Sequence, residues 1–89
     1  MLRKAPWPDF EGNDLHQRDW ITHPDGETGK IVYDETGETL ADKWLVDYYY
    51  PGQPYSRLCL QVGAKGQARK LNLHRLIANP GGLEIIKAH

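Results

Sequence analysis

The sequence predicts an all-β domain, a small and strongly bent barrel of about five or six short strands with one 3₁₀ or helical turn. Its length of 89 residues leaves room for one hydrophobic core. Short runs of β-branched and aromatic residues recur along the chain, and clusters of Pro, Gly, Asn and Asp separate them. A barrel is favoured over a two-layer sandwich because closure removes exposed strand edges, and a sandwich is tight at this length.

An irregular N-terminal arm is predicted over residues 1–18, ahead of the barrel domain at residues 19–89. Pro6 and Pro8 interrupt regular hydrogen bonding in this arm, because proline has no backbone N–H. The apolar side chains of the arm either pack back on the domain or bind a partner; they are Trp7, Phe10 and Leu15.

The first half of the domain is predicted to contain three strands. Residues 20–22 and 30–33 are rich in β-branched and aromatic side chains, and turn-forming residues at 24–26 and 34–37 follow them. The longest strand is predicted over residues 43–50, where side chains alternate between two faces. Alternation places Trp44, Val46, Tyr48 and Tyr50 on the face expected to meet the core, and Leu45, Asp47 and Tyr49 on the opposite face.

The second half is predicted to complete the barrel. Alternation predicts a strand over residues 57–62, followed by a hairpin tip at 63–66 and a strand at 68–73. One helical turn at 74–78 and a short closing strand at 83–87 follow. The predicted core consists of Ile31, Trp44, Val46, Tyr48, Leu58, Leu60, Val62, Leu71 and Leu73. The change Leu60→Asp is expected to unfold the domain, because it would bury an unpaired carboxylate.

Residues 19–33 combine a strand, a turn with glycines and a strand of the Gly-x-Ile-Val kind. They read Asp19-Trp20-Ile21-Thr22-His23-Pro24, then Gly26, Gly29 and Ile31-Val32-Tyr33. This segment resembles the opening of SH3-like barrels, namely the Tudor-like and KOW-like modules of bacterial transcription and repair proteins, and the order of the later elements is similar. The resemblance implies a non-catalytic module that contacts protein or nucleic acid through one barrel face and its loops. A fold by itself does not assign a function, which depends on the particular residues that the surface presents.

The formal net charge of -1 hides an uneven distribution. Residues 1–47 carry eleven acidic and five basic side chains, whereas residues 48–89 carry one acidic and six basic side chains. The segment 57–75 therefore predicts a basic surface that contacts nucleic acid, with Lys and Arg on phosphates and tyrosine rings stacked on bases. The candidate nucleic-acid-binding residues are Arg57, Lys65, Arg69, Lys70, Arg75, Tyr49 and Tyr55.

Two alternatives remain open at this point. In the first, the acidic half pairs with the basic half across neighbouring strands, and the asymmetry is internal. In the second, the chain is a protein–protein interaction module, such as a phage or mobile-element inhibitor or an accessory subunit. It would dock a basic protein surface through its acidic turns and exposed tyrosines. The acidic candidates are Asp25, Glu27, Asp34, Glu35 and Glu38.

Catalysis and metal binding are not predicted. The single cysteine, Cys59, and the four histidines lack the spacing of a zinc site, and no catalytic residue or cofactor is assigned. No apolar run is long enough to span a membrane. The sequence thus predicts a cytoplasmic, non-enzymatic protein of bacterial or phage origin, acting as a monomer or homodimer.

Overall fold

The fold is one antiparallel sheet of five short strands with two short helices. The computed structural model describes residues 2–52 and 54–71. The elements are β1 (Trp20–Thr22), β2 (Thr28–Tyr33), α1 (Leu40–Lys43), β3 (Trp44–Asp47), β4 (Ser56–Arg57), α2 (Leu58–Val62) and β5 (Arg69–Lys70). Their order across the sheet is β4-β3-β2-β1-β5, so β5 returns to the far side of β1. The prediction of a small β domain is confirmed, but the sheet of the described residues is open, with β4 and β5 at its edges.

The β1–β2 hairpin forms around the turn that the sequence predicts. Ile21 of β1 pairs with Gly29 of β2, and the His23 N–H donates to the Glu27 carbonyl at 2.8 Å. Gly26 in the turn has a φ of +95°, a conformation that glycine adopts without a steric penalty. The Pro-Asp-Gly chemistry of this segment therefore fixes the register of the first two strands.

α1 is a single helical turn that the sequence analysis did not predict. Thr39 caps it, because its hydroxyl oxygen accepts the Asp42 N–H at 3.2 Å and its hydroxyl donates to Asp42 Oδ2 at 2.9 Å. The strand predicted over residues 43–50 consequently begins only at Trp44. It ends at Asp47, two residues before Tyr49, whose φ of +63° lies outside the extended region.

The predicted strand over residues 57–62 is wrong: only Arg57 is extended, and α2 follows it. Leu58 and Val62 are four positions apart, so one helical face buries both, and Leu60 points outward with 62% of its surface exposed. The expectation that Leu60→Asp unfolds the domain therefore loses its physical basis. Gly66 packs against this helix, because a Cβ there would collide with the backbone carbonyl of Gln61.

The core lies on one face of the sheet, under α2 and the N-terminal segment. Its buried apolar residues are Ala5, Leu15, Ile21, Ile31, Trp44, Val46, Leu58, Val62 and Ala68. Five predicted core residues are among them, Tyr48 and Leu71 are half-buried, and Leu60 is exposed. The buried Ala5 and Leu15 show that the arm packs back on the domain, and the Phe10 N–H donates to the Ala68 carbonyl at 2.9 Å.

A buried carboxylate joins the arm to the sheet. Asp9 is 4% exposed, and its Oδ1 accepts the N–H groups of Glu11 and Asn13 at 2.9 and 2.8 Å. Its Oδ2 accepts the Asn13 side-chain amide at 3.0 Å and the Lys70 N–H at 2.7 Å. Burial raises the pKa of Asp9, but these hydrogen bonds together outweigh it and leave the pKa below its ordinary value. The ionised Asp9 therefore holds β5 against the arm.

The remaining predictions for the C-terminal part fall outside the described residues. They are the distal half of the strand at 68–73 with Leu73, the helical turn at 74–78 with Arg75, and the closing strand at 83–87.

Candidate binding surfaces

The strand register defines a second face of the sheet, opposite the core, which we call the outer face. Directly paired residues project from the same side of a sheet. Trp20 pairs with Lys30, and Lys30 pairs with Asp47, so this row crosses three strands. The outer face comprises Trp20, Thr22, Thr28, Lys30, Val32, Leu45, Asp47, Arg57 and Arg69.

Two aromatic rings stack on the outer face. The Trp20 and Tyr49 rings have their centroids 5.8 Å apart and are inclined by 24°. The left-handed backbone at Tyr49 turns its ring back over the sheet, and the Tyr49 N–H donates to Asp47 Oδ1 at 2.8 Å. Lys30 Nζ lies 5.8 Å from the Trp20 ring centroid. Because Tyr49 is 58% exposed, the stack presents aromatic surface and a positive charge together.

An open pocket of about 260 Å³ adjoins this stack. The Arg18 N–H donates to the Ile31 carbonyl at 2.9 Å, which fixes the segment before β1 alongside the end of β2. Arg18 and Lys30 line the pocket, and neither forms an ion pair with a residue that the structure describes. No carboxylate lines it among the described residues; the walls include Gln17, Val32, Tyr33 and Tyr49.

Most of the basic residues predicted to bind nucleic acid are paired within the chain. Arg57 Nη2 lies 2.7 Å from Asp42 Oδ1, Arg69 Nε lies 3.9 Å from Glu11 Oε2, and Lys70 Nζ lies 3.6 Å from Asp19 Oδ2. These pairs join the basic second half to the acidic first half, but not across neighbouring strands as one alternative from the sequence expects. Asp42 lies in α1, Glu11 in the arm and Asp19 just before β1.

The seven candidates also do not form one patch. Arg57, Arg69 and Tyr49 share the outer face, whereas Lys70 alternates to the other side of β5. Lys65 is exposed in the loop after α2, and Tyr55 is exposed before β4. Arg75 lies outside the described residues. The candidates predicted to bind nucleic acid do not include Arg18, Trp20 and Lys30, although alternation from Ile21 and Ile31 assigns Trp20 and Lys30 to the outer face.

The acidic candidates lie at opposite ends of β2. Asp25 and Glu27 belong to the β1–β2 turn, and the three others belong to the loop before α1, namely Asp34, Glu35 and Glu38. Hydrogen bonds from the Thr36 side chain and backbone lower the pKa of Asp34. None of the five forms an ion pair within residues 2–52 and 54–71.

A second surface, which we call the turn cleft, lies between the β1–β2 turn, the β3–β4 loop and α2. It contains an open pocket of about 180 Å³, lined by Glu27, Tyr48, Tyr50, Pro54, Ser56 and Gln61. The Tyr50 hydroxyl donates to Glu27 Oε2 at 2.9 Å, and this hydrogen bond raises the pKa of Tyr50. The cleft thus has a carboxylate and tyrosine rings in contact.

The floor of the turn cleft is a short chain of polar groups. The Tyr48 hydroxyl lies 2.6 Å from His23 Nε2 and donates to Gln61 Oε1 at 3.0 Å. His23 Nδ1 lies 2.9 Å from the Gly66 carbonyl, to which it donates. Burial raises the pKa of Tyr48, and the charge of Glu27 adds to the effect. These contacts attach the β1–β2 turn to α2 and the loop after it.

Three further features of the described part of the chain bear on metal binding, cysteine reactivity and membrane insertion. No three His, Cys, Asp or Glu residues there are grouped closely enough to hold a metal ion. Cys59 is a free, half-buried thiol on α2. No helix within residues 2–52 and 54–71 is long and apolar enough to cross a bilayer. Comparisons with protein-family models, with curated proteins and with solved structures find no match.

Proposed function

We propose that this chain is a non-enzymatic, SH3-like module that binds nucleic acid through the outer face of its sheet. The SH3-like assignment is supported by the connection at the end of the sheet. After β4 the chain makes one short helix, α2, and then β5 returns to pair with β1 on the side away from β4. The helical turn and the closing strand on which the resemblance in the sequence rests, at 74–78 and 83–87, lie outside the described residues, so α2 and β5 support the assignment by their connection alone.

The observation that carries the nucleic-acid proposal is the Trp20–Tyr49 stack with Lys30 beside it. Exposed aromatic rings bind bases of any sequence by stacking, and neighbouring cations neutralise phosphates. The pocket next to the stack adds Arg18, so two cations that form no ion pair with a described residue flank the rings, and Asp47 lies opposite Lys30 on the neighbouring strand. The turn cleft differs, because there the Tyr50 hydroxyl donates a hydrogen bond to the carboxylate of Glu27.

Arg57 and Arg69 extend the same face but are engaged with Asp42 and Glu11. Exposed ion pairs of this kind contribute only about 0–1 kcal/mol, so a phosphate can replace the carboxylate at little cost. Two to four phosphate contacts are then expected, with a log–log salt slope of about -1.4 to -2.8 on single strands. This is a weaker salt dependence than an unbroken basic hairpin would give.

The experiment is fluorescence anisotropy with labelled single- and double-stranded oligonucleotides of about twelve nucleotides. Raising the salt from about 50 to 200 mM should weaken binding about 7- to 50-fold. Lys30→Ala should weaken it at both salt concentrations. Lys65→Ala is the matched control, because it removes the same charge from an exposed position off the outer face. No binding at the lower salt concentration, or equal losses in both variants, contradicts the proposal.

A second candidate function is protein binding through the turn cleft. It is favoured by the contact between Glu27 and Tyr50, with Asp25 in the same turn and the exposed ring of Tyr55 preceding β4. Carboxylates and tyrosine rings together fit a lysine or arginine side chain of a partner. A lysine-rich peptide should bind the wild type more tightly than the variant with Asp25→Asn and Glu27→Gln. Glu35→Gln, at the other end of β2, should bind the peptide as the wild type does.

A further inference from the structure

We infer that the pocket beside Tyr49 accepts one unpaired base of a single-stranded nucleic acid, with a flanking phosphate on Arg18. The inference rests on the proposed function and sharpens it, since it selects single strands as the substrate class. It also assigns a role to Arg18 and to the shape of the backbone around the pocket, neither of which the stacked rings explain.

Backbone strain is concentrated at this pocket. Three described non-glycine residues have a positive φ: Arg18 at 75°, Tyr49 at 63° and Gln67 at 54°. Arg18 and Tyr49 come from distant parts of the chain, yet both line the pocket. A left-handed conformation is costly for a residue with a side chain, and glycine would satisfy the same turns more easily. The two side chains at these positions therefore point to a common role in the pocket.

The lining of the pocket suits a planar, anionic ligand. Tyr49 and Tyr33 supply aromatic surface, Val32 supplies apolar surface, and Arg18 and Lys30 supply positive charge. Gln17 Oε1 accepts the Arg3 N–H at 2.8 Å, so the amide NH₂ is the end of this side chain that is left to donate to a base edge. Because the described residues bring no carboxylate to the lining, a basic peptide would be repelled and a phosphate attracted.

The pocket favours a single-stranded nucleic acid over a duplex. In a duplex each base is paired and stacked between its neighbours, so its flat faces are not accessible to a protein ring. In a single strand one base can leave the stack and lie against a tyrosine at little cost. A pocket of about 260 Å³ that opens beside a stacked tyrosine therefore discriminates between the two forms.

The test uses three glycine variants of the full chain: Arg18→Gly, Tyr49→Gly and Gln67→Gly. Each replaces a residue with a positive φ, so each should melt at or near the wild-type temperature. The affinity for a single strand should fall about tenfold or more in the first two variants and remain unchanged in Gln67→Gly. The affinity for the matched duplex should be weak in all four proteins.

A measurement on the wild type guards against a variant that fails to fold. Adenosine monophosphate, added to the ¹⁵N-labelled protein, should shift the NMR amide signals of Arg18 and Tyr49. Ribose 5-phosphate, which carries the phosphate without a base, should shift Tyr49 much less. Equal shifts with both ligands would mean that the pocket holds phosphate alone, which overturns the base-binding inference.

The remaining outcomes separate this inference from the proposed function. If a single strand binds, Tyr49→Gly weakens the binding and Arg18→Gly retains wild-type affinity, the pocket inference fails and the outer face stands as the binding surface. If both variants retain wild-type affinity, the Trp20–Tyr49 stack has no role and the proposed function fails as well. If the duplex binds as tightly as the single strand, the substrate class is wrong. If neither form binds the wild type, both the inference and the proposed function fail.

Discussion

Three consecutive tyrosines contribute rings to both the outer face and the turn cleft, and the charged groups beside the rings differ between the two surfaces. Tyr49 lies over Trp20 on the outer face, where Arg18 and Lys30 are positive and Asp47, paired with Lys30 across the strands, is negative. Tyr48 and Tyr50 turn to the cleft, where Tyr50 donates to the carboxylate of Glu27. One strand end thus divides its rings between a surface with two cations and one carboxylate and a cleft in which a tyrosine hydroxyl contacts a carboxylate.

The turn cleft depends on α2, and this gives the largest expected effect. Leu58 is fully buried and Leu60 is 62% exposed, two positions away on the same helix. Leu58→Asp should destabilise the domain by at least about 3 kcal/mol, because it buries a charge without a partner. Leu60→Asp should change stability by less than about 0.5 kcal/mol. Thermal melts by circular dichroism compare the two; equal destabilisation would show that this segment is a strand after all.

That pair of residues also shows what the sequence could and could not predict. Strict alternation of Leu58, Leu60 and Val62 fits a strand, but Leu58 and Val62 fit one helical face equally well. The choice is made by tertiary contacts, since Gly66 packs closely against the helix end. Alternation was a sound guide for Trp44 and Val46, where direct pairing with β2 enforces a period of two.

The candidate site was predictable only in part for a similar reason. Residue types alone suggested a basic segment, but three of its cations are paired with acidic residues far away in the chain. Such pairs depend on strand order, which composition does not encode. Arg18 and Tyr49 both line one pocket, and both have a left-handed backbone. That conformation cannot be predicted from the sequence at an arginine or a tyrosine, because it is uncommon for residues other than glycine.

Gly29 packs against Val46 of the core and Tyr48 of the turn cleft, and its substitution should have the next largest effect on stability. A Cβ at this position would lie 2.5 Å from Val46 Cγ1 and 2.7 Å from the Tyr48 ring. Gly29→Ala should therefore cost about 1–3 kcal/mol through overpacking, and should displace Tyr48 from His23. Thr28→Ala, an exposed neighbour on the outer face, is the control and should be nearly neutral. A Gly29→Ala protein with the wild-type melting temperature would contradict the close approach.

Asp9 holds the β5 edge of the sheet to the arm, and its effect depends on pH. Its pKa is lowered in the folded protein, so the stabilisation is complete above the unfolded-state value of about 4. It is lost as the pH falls from there through the folded-state pKa. Asp9→Asn should cost about 1–3 kcal/mol at neutral pH, because an amide cannot accept all four hydrogen bonds. Melts from neutral to acidic pH should show the gap between the two proteins closing below about pH 4; a constant gap would contradict the ionised role.

Replacing Arg69 should have a small effect on stability, and it tests most directly whether the outer face binds phosphate. Its guanidinium lies 3.9 Å from Glu11 in an exposed pair, so Arg69→Ala should change stability by about 0–1 kcal/mol. If a phosphate replaces Glu11 in the complex, the salt slope for a single strand should become shallower by about 0.7. Glu11→Gln should tighten the binding of the single strand, because it removes the carboxylate that competes with phosphate for the Arg69 guanidinium. Lys65→Ala again serves as the control, with an unchanged slope. A large loss of stability in Arg69→Ala, or weaker binding in Glu11→Gln, would mean that this arginine is a structural part of the arm contact and not of the binding surface.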